Sequence, residues 1–261
     1  MRATAIDTTV AEAVDEGLGA PLLVLHGGMG DSASWTPVTN LLLDRFRAVR
    51  LHRRQYRLDL PRPVTMADEV DHVAAIAAEL DRPVLVGHSS GAVLALEAMV
   101  ADPTCYSGAV LYEPPVVLGD PLGGDLLIPA RAALAAGKPG KALTIFLRDV
   151  VGLSSAAAAA GGFVVGHSRY RDRVVRQLDD NDAIDALGYR LGEYAQLDLP
   201  MLLIGGDRSP RHLADRLDAL EQALPRTRRL LMHGQGHSAE RQAPDRLAIA
   251  IETFMREELG H

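Results

Sequence analysis

The chain of 261 residues has a single cysteine, Cys105. One thiol excludes a disulfide framework and a cysteine-built metal cluster. Lysine is nearly missing as well. Lys138 and Lys141 stand against an arginine-dominated basic complement, which reads as a compositional bias and not as a phosphate site. Positive charge is short overall: the formal net charge is −7 and the pI about 5.7, which argues against nucleic acid or an anionic membrane as a partner. No apolar run approaches the roughly 20 residues of a membrane-spanning helix. The first residues, Met1-Arg2-Ala3-Thr4-Ala5-Ile6-Asp7, lack the apolar centre of a secretion signal. These absences set the expectation of a soluble, cytoplasmic protein. What remains is ordinary for a globular chain, with 48% hydrophobic and 23% charged residues. The length suits one large domain or a domain carrying an insertion.

One pentapeptide organises the rest: Gly87-His88-Ser89-Ser90-Gly91. The apolar run Pro83–Val86 precedes it and reads as a strand. The stretch Ala92–Val100 follows it and reads as a helix. A serine on a sharp strand-to-helix turn needs neighbours without a Cβ, and glycines stand two before and two after Ser89. The helix start then directs backbone N–H groups and the positive end of its dipole at the serine. A bare Gly-x-Ser-x-Gly is a weak signal, so context selects it. Gly-His-Ser also occurs at 166–168 and 236–238, but neither copy has the closing glycine.

The order of elements repeats strand and helix through the first half. Residues 1–20 form a short hairpin or a single strand. Pro21–Leu25 reads as a strand buried on both faces, followed by the glycine-rich loop His26–Asp31. A helix is expected from Ser34 to about Asp44, anchored by Leu41, Leu42 and Leu43. Ala48–His52 is a strand, and Arg53–Arg57 a polar connection. Thr65 can cap a helix whose apolar positions, Val70, Val73, Ile76, Ala77 and Leu80, recur at helical spacing. Ser107–Tyr112 is another strand, with Glu113 at its C-terminal end. This alternation predicts a parallel α/β sheet. Residues 116–192 break it. They are rich in alanine and glycine and read as short helices at Ile128–Ala136, Lys141–Val150 and Ser168–Leu178, with Ala156–Ala160 ended by Gly161-Gly162. The expectation is a helical cap inserted between core segments 1–115 and 193–261. Strands at Leu199–Gly205 and Arg228–Met232, and helices at Pro210–Leu224 and Asp245–Leu259, resume the pattern.

In open α/β sheets, chemistry gathers where strands end. Here those ends carry Gly27-Gly28, Ser89, Glu113, Asp207 and His237. A nucleophilic serine needs a base, and the base an orienting acid. The chain order serine, acid, histidine resembles that of the α/β-hydrolase superfamily. The resemblance spans nearly the whole chain, through His26-Gly27-Gly28, Gly87-x-Ser89-x-Gly91, the late acid and Gly236-His237. The stretches Gly87–Glu97 and Leu111–Pro115 resemble a bacterial subgroup of it. The resemblance implies Ser89 as nucleophile, His237 as general base, and the N–H groups of Gly28 and Ser90 as the oxyanion hole. It implies no metal and no cofactor. Met29 and His26 are the pocket candidates, His26 chiefly as a brace for its loop. Two acids stay open. Asp207 follows the strand that commonly carries the acid, but falls one residue short of the usual spacing. Glu113 follows the preceding strand, where haloalkane dehalogenases and some lactonases carry theirs, and is preferred. One motif departs from the resemblance: Arg53-Arg54 are followed by Gln55, Tyr56 and Arg57 in place of a turn of the style Arg-Arg-Gly-x-Gly.

The function this implies is a serine hydrolase cleaving a small, apolar ester, thioester or lactone through an acyl-enzyme, with that small molecule as its partner. Two alternatives use the same fold. One is non-hydrolytic chemistry, such as perhydrolysis, C–C cleavage or a biosynthetic epimerisation. The other is ligand binding with little turnover. Oligomeric state stays open, a homodimer included.

Overall fold

The computed structural model describes residues 4–8 and 10–261. Eight strands form one sheet among the described residues: β1 (Thr4–Asp7), β2 (Glu12–Glu16), β3 (Ala20–Leu25), β4 (Phe46–Leu51), β5 (Val84–His88), β6 (Gly108–Tyr112), β7 (Met201–Gly206) and β8 (Thr227–Met232). Their spatial order is β1-β2-β4-β3-β5-β6-β7-β8. From β4 to β8 every neighbouring pair is parallel, and β2 pairs antiparallel with both β1 and β4. The first twenty residues therefore contain a hairpin. This is the α/β-hydrolase arrangement that the sequence implied.

Side-chain alternation sorts the strands between two cores. In β3, Leu23 and Leu25 join one apolar cluster, and Leu22 and Val24 the other. In β6, Ala109 and Leu111 face the first, and Val110 and Tyr112 the second. Helices cover both faces, which is why the central strands read as unbroken apolar runs. On the first face lie α2 (Met66–Ala77), α3 (Ser90–Ala101) and α9 (Arg211–Ala223). On the second lie the short α1 (Thr36–Thr39) and α10 (Ala239–Gln242), with α11 (Pro244–Leu259) closing the chain. α3 is buried from Ser90 to Met99, which explains why its apolar residues show no stripe. Thr65 caps α2 in a reciprocal capping box with Asp68.

Four helices separate β6 from β7 before the short α8 (Leu191–Tyr194): α4 (Ile128–Ala135), α5 (Pro139–Asp149), α6 (Ser155–Gly166) and α7 (Val174–Asp185). They share a small core of their own, built from residues such as Leu143, Phe146, Val174 and Leu178. The segment returns to the main body where Arg190 and Tyr194 both bond the buried Glu97 of α3, at 3.0 and 2.7 Å.

Three local expectations need correction. The helix from Ser34 to Asp44 is a 3₁₀ turn, Ser32–Trp35, followed by the single turn of α1. Leu42 is buried there but Leu41 is exposed, because the chain turns directly into β4 and the N–H groups of Arg45 and Phe46 bond the Leu42 carbonyl. Gly161-Gly162 do not end a helix. α6 runs through them, since Gly162 lets its backbone pack against Gly140 and Thr144 of α5. The helix expected over Ser168–Leu178 begins later, at Val174. The connection after β4 is polar, as expected, and it is also buried: Arg53, Gln55 and Tyr56 are almost inaccessible.

Candidate active site

The sheet reverses direction of growth at β3, whose neighbours are β4 and β5. In open α/β sheets the loops leaving the two strands at such a point diverge, and ligands gather at the strands' C-terminal ends. Here the loop leaving β3 carries Gly28 and the one leaving β5 carries Ser89.

Ser89 sits at φ 54° and ψ −125°, a conformation costly for a side-chain-bearing residue. Neighbouring glycines relieve the crowding. A Cβ on Gly87 would strike Ala92, and one on Gly91 would strike the carbonyls of Leu25 and His26. The Ser89 N–H bonds the Tyr112 carbonyl at 2.8 Å and ties the turn to the end of β6. Ser90 opens α3, so its N–H lies in the first turn and has no intrahelical partner.

Glu113 leaves β6 with φ 47° and is 1% exposed. One carboxylate oxygen accepts the Gly206 N–H at 2.8 Å, and the other lies 2.5 Å from His237 Nδ1. A carboxylate at Nδ1 keeps the proton there and leaves Nε2 as the acceptor. Asp207 is engaged elsewhere. It is partly exposed, meets His233 Nδ1 at 3.1 Å and accepts the Gly234 N–H at 2.7 Å. The hydrogen bond from His233, then that from Gly234, holds its carboxyl below the ordinary range.

The His237 loop is pinned from beneath. His88 Nε2 donates to the His237 carbonyl at 3.0 Å, and its ring lies 4.9 Å from the His237 ring. Tyr112 stacks on His88, donates its hydroxyl to the Gly236 carbonyl, and accepts the Ala239 N–H at 3.2 Å. Burial first, then the nearness of His237, pulls the His88 pKa well below the usual histidine value. His88 is thus a neutral donor.

Around Gly28 the loop is held from above. Gln177 of α7 occupies the space where a Gly28 Cβ would stand. Arg173 donates to the carbonyls of Met29 and Gly30, at 3.3 and 2.7 Å, and pairs with Asp31. Met29, at φ 59°, packs its side chain against the small core of the helices between β6 and β7. His26 is 2% exposed, and its Nδ1–H donates to the Gly27 carbonyl at 2.9 Å, so it braces its own loop. Burial and then Arg53 bring its pKa down to about 3.

In the sequence, His88 and Tyr112 carry no assigned role, and the Arg53–Arg57 turn stands out only as a departure from the glycine-containing turn of the resemblance. For His88 and Tyr112, adjacency to Ser89 and Glu113 was the available signal. For the burial of the turn there was none, because its partners on α7 lie more than a hundred residues away. Among the described residues, no group of three His, Cys, Asp or Glu side chains could hold a metal ion, and no helix is long and apolar enough to cross a membrane.

A profile of the alpha/beta hydrolase family matches residues 22–250, and the chain belongs to that family. An alpha/beta hydrolase from Sphaerobacter thermophilus is similar in structure with a TM-score of 0.81 and 24% identity, over 97% of this chain and 100% of that one. Est816, an N-acyl homoserine lactone degrading enzyme, superposes with a TM-score of 0.74 at 19% identity, over 96% of this chain and 100% of its own. A thermophilic esterase from Thermogutta terrifontis gives 0.74 at 18% identity, over 98% and 99%. No match was found among curated proteins.

Proposed function

We propose that the chain is a serine hydrolase that cleaves a small, apolar ester, thioester or lactone through an acyl-enzyme on Ser89. The observation that carries this reading is the pairing of a strained serine on a glycine-flanked elbow with a buried carboxylate 2.5 Å from His237 Nδ1, on the segments that follow β5, β6 and β8. In this reading Ser89 Oγ attacks the substrate carbonyl and His237 Nε2 takes the hydroxyl proton. Glu113 holds the tautomer and stabilises the imidazolium. The N–H groups of Gly28 and Ser90 receive the oxyanion, each removal of such a donor typically costing about 3 kcal/mol of barrier. His237 then returns the proton to the leaving group, and water repeats the cycle on the acyl-enzyme.

Residues 116–192 act in this reading as a helical cap. Support comes from Gln177 and Arg173 on the Gly28 loop and from the apolar cluster against Met29, which suits an uncharged acyl chain. Activities named for structurally similar proteins, an esterase and an acyl-lactone degrading enzyme, fall in the same chemical class.

The test is labelling with a fluorophosphonate together with a series of chromogenic esters of increasing acyl length. Stoichiometric labelling at Ser89 is expected, and Ser89→Ala should lose labelling and at least about 10⁴-fold in turnover while remaining folded. Unchanged ester turnover in Ser89→Ala would sink the reading. A wild-type protein that binds esters without labelling would favour a ligand-binding role instead.

A further inference from the structure

The turn after β4 holds the most densely bonded side chain of the site. Arg53 is fully buried. Its Nη1 donates to Ser90 Oγ at 2.8 Å and to the His26 carbonyl at 3.0 Å. Its Nε and Nη2 reach Glu69 Oε2 at 2.7 and 2.5 Å, and Nη2 also reaches Asp180 Oδ1 at 3.0 Å. Every arm of the guanidinium fork therefore has an acceptor. The network continues outward. The second Glu69 oxygen accepts the Gln55 N–H at 2.8 Å, and the second Asp180 oxygen accepts the Tyr56 hydroxyl at 2.8 Å.

Two features set this apart from a stabilising ion pair. The first is cost. A buried guanidinium between two carboxylates gains little over well-packed apolar residues. The second is location. The two Nη1 partners belong to the two segments that carry the Ser90 and Gly28 N–H groups, one being the hydroxyl of Ser90 itself. Asp180 belongs to α7, and α7 also covers Gly28 through Gln177. The departure from a glycine-containing turn fits the same picture. Gln55 donates its side-chain amide to the Arg176 carbonyl at 2.6 Å, a bond that glycine could not make.

We propose that Arg53 is a positioning residue for the oxyanion-binding turn, and that its ion pair with Asp180 makes the alignment of that turn depend on the seating of α7. Removal of the Ser90 hydroxyl cuts the tie between Arg53 and the start of α3, although the N–H at that position is retained. Loss of the Asp180 charge slackens the fork from the other end. Both changes act on the transition state, where the oxyanion is formed, and not on substrate affinity.

This inference rests on the hydrolase reading, and the experiment separates the two. Ser90→Ala, Asp180→Asn and the double variant are compared with wild type on a chromogenic ester, with rates normalised to active sites titrated by fluorophosphonate. Arg53→Met is less informative, because two unpaired buried carboxylates can prevent folding. Each single variant is expected to lose about tenfold in kcat with KM within about twofold, and to bind a trifluoromethyl ketone about tenfold more weakly. The double variant should lose much less than the product of the two, because both act through one fork. Wild type that labels and turns over, with single variants unchanged in normalised kcat or losses that multiply, would overturn this inference and leave the hydrolase reading standing. Wild type that neither labels nor turns over would overturn both.

Discussion

At the residue scale the site is decided by which carboxylate meets His237. Glutamate reaches one methylene farther than aspartate, and Glu113 uses that length from the end of β6 to bond both Gly206 N–H and His237 Nδ1. Asp207 spends its oxygens on His233 and Gly234 at the surface. Two isosteric changes distinguish them. Glu113→Gln presents an amide to Nδ1 and leaves a forming imidazolium without its counter-charge. A loss of roughly 10³–10⁴ in kcat for ester hydrolysis is expected. Asp207→Asn should change kcat by no more than about threefold. Steady-state kinetics of both variants at one pH settles the point, and the reverse ranking would make Asp207 the acid. The preference for Glu113 could be read from its place after the fourth parallel strand, whereas its contact with His237 and that of Asp207 with His233 are seen only in the folded chain.

At the scale of elements, α5 and α6 pack more closely than ordinary helices allow. A Cβ on Gly162 would collide with Thr144 Oγ1 and the Gly140 carbonyl. The glycine pair that the sequence offered as a helix stop is therefore a seam, and a one-dimensional reading cannot tell the two apart. Gly162→Leu forces the helices apart and should lower stability by roughly 1–3 kcal/mol. Denaturant unfolding followed by circular dichroism measures this. Fluorophosphonate labelling at Ser89 should persist, because the elbow belongs to β5 and α3. A variant as stable as wild type would show that the seam relaxes without cost.

For the whole molecule, buried neutral histidines tie stability to pH. His26 has its pKa lowered to about 3, chiefly by burial, and His88 is lowered by burial as well. An unfolded histidine titrates near 6.5. Between these values the unfolded chain binds more protons than the folded one, so stability rises with pH. It is complete above about 6.5 and is lost progressively as the pH falls towards about 3. The melting temperature should therefore drop from pH 7 to pH 4.5. His26→Asn keeps a donor for the Gly27 carbonyl but removes the titration, and its decline should be shallower. Equal slopes for the two proteins would assign the acid sensitivity to other groups.

Much was determined by the sequence alone. Unbroken apolar runs of strand length, alternating with helical periods, specified a covered parallel sheet, because only strands buried on both faces can be apolar throughout. Gly87 and Gly91 around Ser89 marked the elbow, because the turn has no room for their side chains. These are local requirements, written in adjacent residues. Only the tertiary structure decided the rest. Arg53, Gln55 and Tyr56 read from the sequence only as a polar connection, with nothing local to mark their burial. They are buried because Glu69 of α2 and, far along the chain, Arg176 and Asp180 of α7 supply their hydrogen bonds. Burial of a charge depends on partners, and partners across more than a hundred residues become visible only when the chain has folded.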